Sequence, residues 1–294
     1  MLTRIPHSTY KIIKGQQPTA KYLRMQKTLG RFYLKNFFKI LIGQQKTGRF
    51  LEIGSGSGFQ TAQVVRNSPG IEIVAIEPSA DMIATATKYL SQQGLGENVQ
   101  FVQGAVESQP LIGSLGKFDL IYSTFSLHHW TDPACALQNL YNALKPGGTL
   151  LVYDFQRLWL TYYLPLSRGI RESIQASYTP AEIKLFLNWM NNLDYVIRSD
   201  FPYLYLLLTQ QANAVHLECQ AIRLLDELKD GQSGQIVSIA KNAQQAQEMT
   251  ALGIVRSAFV QVIENHGHHV MFHVGDKRIV ADRQVASQIA IQIR

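Results

Sequence analysis

The sequence predicts an α/β protein: a doubly wound parallel sheet followed by a small β-rich unit. Three observations carry that expectation. From residue 49 to about residue 154, short apolar, β-branched runs alternate with helical patterns. A glycine-rich turn joins the first of those runs to its helix. After residue 229 the pattern changes to short strands broken by glycines. Strands alternating with helices give a parallel sheet with its ligand at the carboxyl ends of the strands. Closely spaced short strands give a barrel or sandwich.

Composition allows this. At 294 residues, 46% apolar and 17% charged, the chain can form one large domain and one small one. No apolar run reaches the roughly 18–20 residues that span a bilayer. The longest candidate, Tyr203–Leu208, reads as a buried strand. The first residues lack the continuous apolar stretch of a secretory leader, so the cytoplasm is the expected location. Cys135 and Cys219 have no CxxC partner and read as two buried free thiols in a reducing compartment.

The net charge of +7 is unevenly distributed. Residues 1–49 hold eleven Lys or Arg and no acid, residues 50–223 hold ten basic and fourteen acidic groups, and residues 224–294 hold seven of each. From Lys21 to Ile42, Leu23, Phe32, Tyr33, Phe37, Ile40 and Leu41 recur at near-helical spacing, with Lys27, Arg31, Lys35 and Lys39 four apart. That pattern predicts an amphipathic basic helix within an N-terminal cap over residues 1–48. Such a helix can cap a domain with its cations in water, bind an anionic substrate, membrane surface or nucleic acid, or serve as a transit peptide.

The strongest local signal is the run from Arg49 to Gln60. Strand Phe50–Ile53 enters a turn with glycines at 54, 56 and 58, and a helical pattern follows from Phe59. These glycines tolerate positive φ and let the backbone approach a ligand. A dinucleotide fingerprint would need a glycine at position 59, where this chain has Phe59, so a nicotinamide cofactor is disfavoured. Strand Ile71–Ile76 ends at Glu77-Pro78, where an acid can accept hydrogen bonds from both ribose hydroxyls. Helix Asp81–Gln93, strand Val99–Gln103, strand Phe118–Tyr122, helix Ala134–Leu144 and strand Thr149–Asp154 continue the alternation. Lys145-Pro-Gly-Gly148 stops the helix before the last of them.

Together "LEIGSGSG", "AIEPS", "FDLIYSTFSLHHW" and "LKPGGTLLVYDF" resemble class I S-adenosylmethionine (SAM)-dependent methyltransferases, the small-molecule branch in particular. The resemblance covers roughly residues 48–210. It implies a Rossmann-like sheet of the seven-stranded methyltransferase type over residues 49–210, with SAM as cofactor and a small-molecule acceptor. By that resemblance Glu52, Gly54, Ser55, Gly56 and Gly58 hold the methionine part of the cofactor. Glu77 and Pro78 meet the ribose, Ala105 and Val106 flank the adenine, and Ser123 lies beside the cofactor. Ala105 stands where the family usually has a polar acid, and Glu52 where Asp is commoner.

Methyl transfer from a sulfonium needs orientation and, for a protonated acceptor, a base. His128, His129 and Asp154 fall at the ends of the fourth and fifth strands and are the catalytic candidates. Tyr10 in the N-terminal cap, with Arg157 and Tyr162 after the fifth strand, are the substrate candidates. The aromatic segment Phe155–Met190 is where a substrate lid belongs, and Thr179-Pro-Ala-Glu182 matches a capping box. Strands Tyr195–Ser199 and Tyr203–Leu208 complete the sheet.

A linker helix is expected over residues 211–223, within a helical pattern running from Gln211 to Leu228. "LKDGQSGQIVSI", "MTALGIVRSAFVQVI" and "VGDKRIVADRQVASQI" then resemble a FeoA-type domain over residues 224–294. That implies a small SH3-like β-barrel acting through a protein partner or self-association. Arg256-Ser257 stand where its relatives usually show Pro-Gly. In the strand His269–Val274, Val270, Phe272 and Val274 point one way and His269, Met271 and His273 the other. This reads as a solvated face, and no metal is expected. Two further function classes stay open: a nucleic-acid methyltransferase, disfavoured because the Asn/Asp-Pro-Pro-Tyr/Phe motif is absent, and a SAM-binding regulatory protein without turnover.

Overall fold

The computed structural model describes residues 4–5, 15–44, 47–162, 166–189, 193–211, 222–239 and 249–293. Seven strands form one sheet in the order β3-β2-β1-β4-β5-β7-β6. They are β1 (Arg49–Ile53), β2 (Glu72–Glu77), β3 (Val99–Gln103), β4 (Phe118–Thr124), β5 (Leu144–Phe155), β6 (Asp194–Asp200) and β7 (Tyr203–Thr209). The first five pair in parallel, and β7 runs antiparallel to both β5 and β6. The sheet reverses direction on either side of β1 and β4, so their carboxyl ends open a crevice. β5 begins at Leu144, earlier than its apolar pattern, because a register shift between Phe118 and Leu120 carries the Lys145–Gly148 turn along the strand.

Helices cover both faces. α3 (Phe59–Asn67), α4 (Ala80–Gln92), α5 (Gln109–Ser114), α6 (Pro133–Ala143) and α8 (Pro180–Trp189) belong to the crossovers. Their starts are set by local chemistry. Ser79 Oγ accepts from the Met82 amide at 3.3 Å, and Asp132 Oδ1 from the Cys135 amide at 3.0 Å with Pro133 at the first helical position. The expected capping box at α8 is present: Glu182 Oε2 accepts from the Thr179 amide at 2.8 Å, and Thr179 Oγ1 from the Glu182 amide at 3.3 Å.

The basic N-terminal segment forms two helices where the sequence predicts one, α1 (Gln16–Tyr33) and α2 (Lys35–Gln44). The break at Leu34 turns Leu34, Phe37 and Leu41 into the core beneath the sheet, alongside Phe50, Tyr122 and Tyr153. Lys35, Lys39 and the described α1 lysines stay exposed.

The second sheet has six antiparallel strands in the order β12-β11-β10-β9-β13-β8. These are β8 (Ile222–Leu224), β9 (Ser233–Ile239), β10 (Phe259–His266), β11 (His269–Val274), β12 (Lys277–Asp282) and β13 (Ile289–Ile293). Among the described residues β8 and β12 are edges and no pairing closes a barrel. The linker expectation also changes: Ile222 and Arg223 lie in β8 and residues 225–227 form a 3₁₀ turn, while most of residues 211–221 fall outside the described residues. Pairing with β13 decides this, because it satisfies the backbone of 222–224 across the sheet. In β11, Val270, Phe272 and Val274 are buried and His269 and His273 exposed, the predicted alternation. Cys135 is disulfide-bonded, not free. Such pairing depends on tertiary approach, which spacing along a chain does not reveal. Cys219 lies outside the described residues.

The two sheets share a core. Ile222, Leu224, Val237 and Ala290 pack into the cluster that holds Leu137, Leu140, Leu185 and Phe186. Around this seam sit ionised groups: Arg223 pairs with Asp132 at 3.0 Å, and Arg4 pairs with Glu227, donates to the Ala176 carbonyl at 2.7 Å and lies over the Tyr178 ring. Asp226 is buried here, with one carboxylate oxygen lacking a hydrogen-bond partner, and burial pushes its pKa up to about 8. An acid whose folded pKa lies above its unfolded value makes folding take up a proton. Its contribution to stability therefore falls as pH rises from about 4 to about 8. Asp226→Asn is expected to flatten that limb and raise stability at pH 8 by about 1–3 kcal/mol, read by thermal unfolding at pH 5 and pH 8. An unchanged pH dependence would refute it.

Candidate active site

The turn after β1 takes its shape from three left-handed glycines, Gly54, Gly56 and Gly58, with φ of 77°, 53° and 78°. A Cβ on Gly54 would lie 2.7 Å from Ser126 Oγ, so the loop after β4 closes directly on the turn. A Cβ on Gly58 would meet Leu90 and Ala86 of α4 at 3.0 Å or less. The turn is tied to β2 by one side chain. Glu77 accepts from the Gly56 amide through Oε2 and from the Ser79 amide through Oε1, each at 3.0 Å. Burial still raises its pKa, against the lowering effect of those two bonds.

Beneath the turn, Glu52 is buried and accepts from Thr61 Oγ1 at 2.5 Å. Burial pushes its carboxyl up to about 7, with Thr61 and Tyr122 opposing the shift. Glu52 therefore braces the turn against α3. Ser123 donates its hydroxyl to the Ile53 carbonyl at 3.1 Å, joining β4 to β1. Ser55 Oγ is buried in the turn without a hydrogen-bond partner.

Helix α1 roofs the turn. Thr19, Tyr22, Gln26, Gly30 and Tyr33 recur every three or four residues and share one face. Gln26 hydrogen-bonds Gln60 at 3.2 Å and accepts from Ser57 Oγ. Thr19 Oγ1 bonds Thr85 at 2.9 Å, and the Gly15 amide donates to Asp81 at 2.8 Å. Gly30 permits contact with Phe59, where a Cβ would stand 2.4 Å from the ring. Burial pushes the Tyr22 phenol up to about 12, and the nearby Glu77 adds to the shift.

Beside the turn, rings collect at the same edge of the sheet. Phe125, at a left-handed φ of 51°, lies 5.4 Å from Tyr33, 5.9 Å from Tyr153, 4.9 Å from Phe155 and 5.4 Å from Tyr203. Several meet edge to face, the favoured geometry for aromatic pairs. A non-glycine residue at that φ is strained and clusters at functional sites. The 3₁₀ turn Leu127–His129 follows. Asp154, at the end of β5, faces His128 Nδ1 at 2.8 Å and accepts the His128 backbone N–H at 2.9 Å. Both residues are buried, and the His128 ring lies 6.0 Å from Phe155.

The predicted residues thus separate. Gly54, Ser55, Gly56, Gly58, Glu77 and Pro78 gather at one turn, with Ala105 and Val106 just past β3. His128, His129 and Asp154 come together, the two histidine rings 4.1 Å apart. Arg157 goes elsewhere: it is buried, pairs with Glu182 and donates to the Ser177 carbonyl at 2.7 Å, so it locks the start of α8 and is not presented to an acceptor. Tyr10 and the Tyr162 side chain lie outside the described residues. Sequence reasoning missed Tyr22, Gln26, Phe125 and Ser126. The α1 pair had a signal, the polar i, i+4 row that also includes Gly30. Among the described residues no group of three or more His, Cys, Asp or Glu is arranged to hold a metal.

Comparison with known proteins bears on the two domains and the fold. The methyltransferase domain family matches residues 51–152, and the FeoA domain family matches residues 223–293. The ubiquinone/menaquinone biosynthesis C-methyltransferase UbiE of Pectobacterium carotovorum is 33% identical over 116 residues, 39% of this chain and 45% of that protein. The same enzyme of Ectopseudomonas mendocina is 30% identical over 168 residues, 56% of this chain and 62% of that protein. The chain spans about half the length of the curated relatives it matches. A SAM-dependent methyltransferase structure from Methanococcus maripaludis shares the fold at a TM-score of 0.55 and 20% identity, covering 71% of this chain and 99% of that one.

The larger unit is therefore a methyltransferase domain of class I SAM-dependent type, and the smaller a FeoA domain. SAM is the cofactor of such a domain, and the turn fits it. Glu77 is a buried carboxylate with lone pairs beyond those facing Gly56 and Ser79, suited to ribose hydroxyls. Ser55 Oγ is a buried polar atom awaiting a partner, and the glycines leave backbone bare. Glu77→Ala is expected to weaken SAM binding by about 1–3 kcal/mol in calorimetric titration, through lost charge-assisted hydrogen bonds. Unchanged affinity in a folded variant would remove Glu77 from the site.

Proposed function

We propose that this protein transfers a methyl group from SAM to a small acceptor with a flat, apolar reacting part, and that His128 is the general base. The observation that carries this reading is the buried His128–Asp154 pair beside the wall formed by Phe125, Phe155 and Tyr203. Its separation of 2.8 Å is hydrogen-bonding distance.

When bound, SAM supplies a methyl group already activated on a sulfonium. The chain's tasks are to orient the acceptor, exclude water and take a proton. Asp154 accepts a hydrogen bond from the protonated Nδ1, which leaves Nε2 as the basic nitrogen, and it stabilises the imidazolium formed when Nε2 takes the acceptor's proton. Asp154 is held in turn by the backbone amides of His128 and Phe155, so its carboxylate cannot swing away. The aromatic wall offers a broad apolar surface to a ring.

The UbiE relatives act, by name, as C-methyltransferases of quinone biosynthesis. Carried to this chain, the likeness makes a quinone-type ring carbon the acceptor. The FeoA domain is an interaction module, for a partner or a second copy, and its shared core with the catalytic domain supports action on the same rigid unit.

His128→Asn is expected to lower methyl transfer about 10²–10⁴-fold while leaving SAM affinity unchanged. The assay follows labelled methyl from SAM to a quinol with an unsubstituted ring carbon, and Asp154→Asn should fall in the same direction. Full activity in His128→Asn would exclude the base; no transfer by the wild-type protein to any such quinol would exclude the acceptor class.

A further inference from the structure

Large apolar side chains stand in solvent around the mouth of the aromatic wall. Trp159 is 67% exposed, Phe201 63%, Leu160 44% and Ile170 40%. They belong to one neighbourhood. The Gln156 amide donates to the Pro202 carbonyl at 3.1 Å, which sets the β6–β7 turn holding Phe201 beside the segment leading to Trp159 and Leu160. Ile170 lies on α7 (Arg168–Ala176), which packs on the 3₁₀ turn Trp159–Tyr162. Asn36 Nδ2 donates to Asp200 at 2.9 Å, which brings the first turn of α2 to the same rim.

That rim is cationic. Lys35 and Lys39 on α2, Arg171 on α7 and Arg198 on β6 are exposed. Of the acids nearby, Glu172 is paired with Arg168 at 2.8 Å, and Asp200 accepts hydrogen bonds from Tyr153 and Asn36, so the cations outnumber the unpaired acid. Isolated exposed apolar residues are ordinary, but four in a group, including Trp and Phe on protruding turns and ringed by cations, are not. Indole and phenyl rings favour the bilayer interface, lysine and arginine stems reach lipid phosphates from there, and each basic group near an anionic surface adds to binding.

We propose that this rim is a membrane-docking face, on which Trp159, Leu160, Ile170 and Phe201 enter the interfacial layer of an anionic bilayer while Lys35, Lys39, Arg171 and Arg198 meet its phosphates. Among the described residues no helix is long and apolar enough to cross a membrane, so the contact is peripheral and reversible. The face adjoins the aromatic wall at Phe155 and Tyr203, so an apolar molecule leaving the bilayer there lies close to the site. The docking itself does not depend on the acceptor's identity.

The test is flotation of the full chain with vesicles of phosphatidylcholine alone, or with about a quarter phosphatidylglycerol, in about 0.1 M and about 1 M salt. Wild-type protein is expected to bind the anionic vesicles at least about tenfold better than the neutral ones, and to lose most of that binding in high salt. The double variant Trp159→Ser, Phe201→Ser should lower partitioning about tenfold or more, and Lys35→Glu, Lys39→Glu should do so by removing charge. All four positions are exposed, so unfolding temperature and SAM affinity serve as controls for folding. A blue shift of tryptophan emission on vesicle addition should disappear in Trp159→Phe. Equal binding to both vesicle types, no binding by folded wild-type protein, or binding unchanged in Trp159→Ser, Phe201→Ser would overturn the proposal.

Discussion

The carboxylate of Glu77 links the tip of β2 to the glycine turn after β1, and the carboxyl edge of the sheet is organised around that link. Each oxygen takes one backbone amide, from Gly56 and from Ser79. The first amide fixes a turn that only residues tolerating positive φ can make, and the second fixes the start of α4. A buried carboxylate without such donors would be protonated or displaced, because desolvation is its largest penalty. The anion and the left-handed turn thus stabilise one another. Together they hold a bare stretch of backbone where a cofactor can approach.

The N-terminal segment combines two physical roles on two faces of one helix. Its outer face carries cations into water. Its inner face places Tyr22 and Gln26 over the glycine turn and Tyr33 against Phe125. A helix that closes a polar site cannot present a purely apolar stripe, since the groups beneath it need hydrogen-bond partners. The roof is polar above the glycine turn and aromatic above the neighbouring wall.

The FeoA domain is joined to the catalytic domain through burial. Side chains of β8, β9 and β13 complete a core that α6 and α8 begin, and Arg4 and Arg223 bridge the seam. Shared apolar area makes independent movement of the two sheets costly. Buried ionisable groups at the seam make the junction sensitive to protonation, because burial favours the neutral form of the Asp226 carboxyl.

Local signals in the sequence determined much of this protein. Period-two apolar runs, the GxGxG turn, Glu77 at the tip of the second strand and the capping box at α8 are patterns of nearest neighbours, and each stands in the structure where its chemistry placed it. So does the inside–outside alternation of β11. Tertiary structure decided what depends on approach between distant segments. Arg157 reads as a cation open to a substrate until Glu182 and Ser177 are folded onto it. Residues 222–224 read as helix until β13 offers their backbone a partner. Phe125 reads as one aromatic among many until Tyr33, Phe155 and Tyr203 surround it from three other parts of the chain. Cys135 reads as a free thiol because a disulfide is a fact of space. The backbone's local preferences are written residue by residue, whereas the partner of a buried charge, an edge strand or a thiol is fixed only when the chain closes on itself.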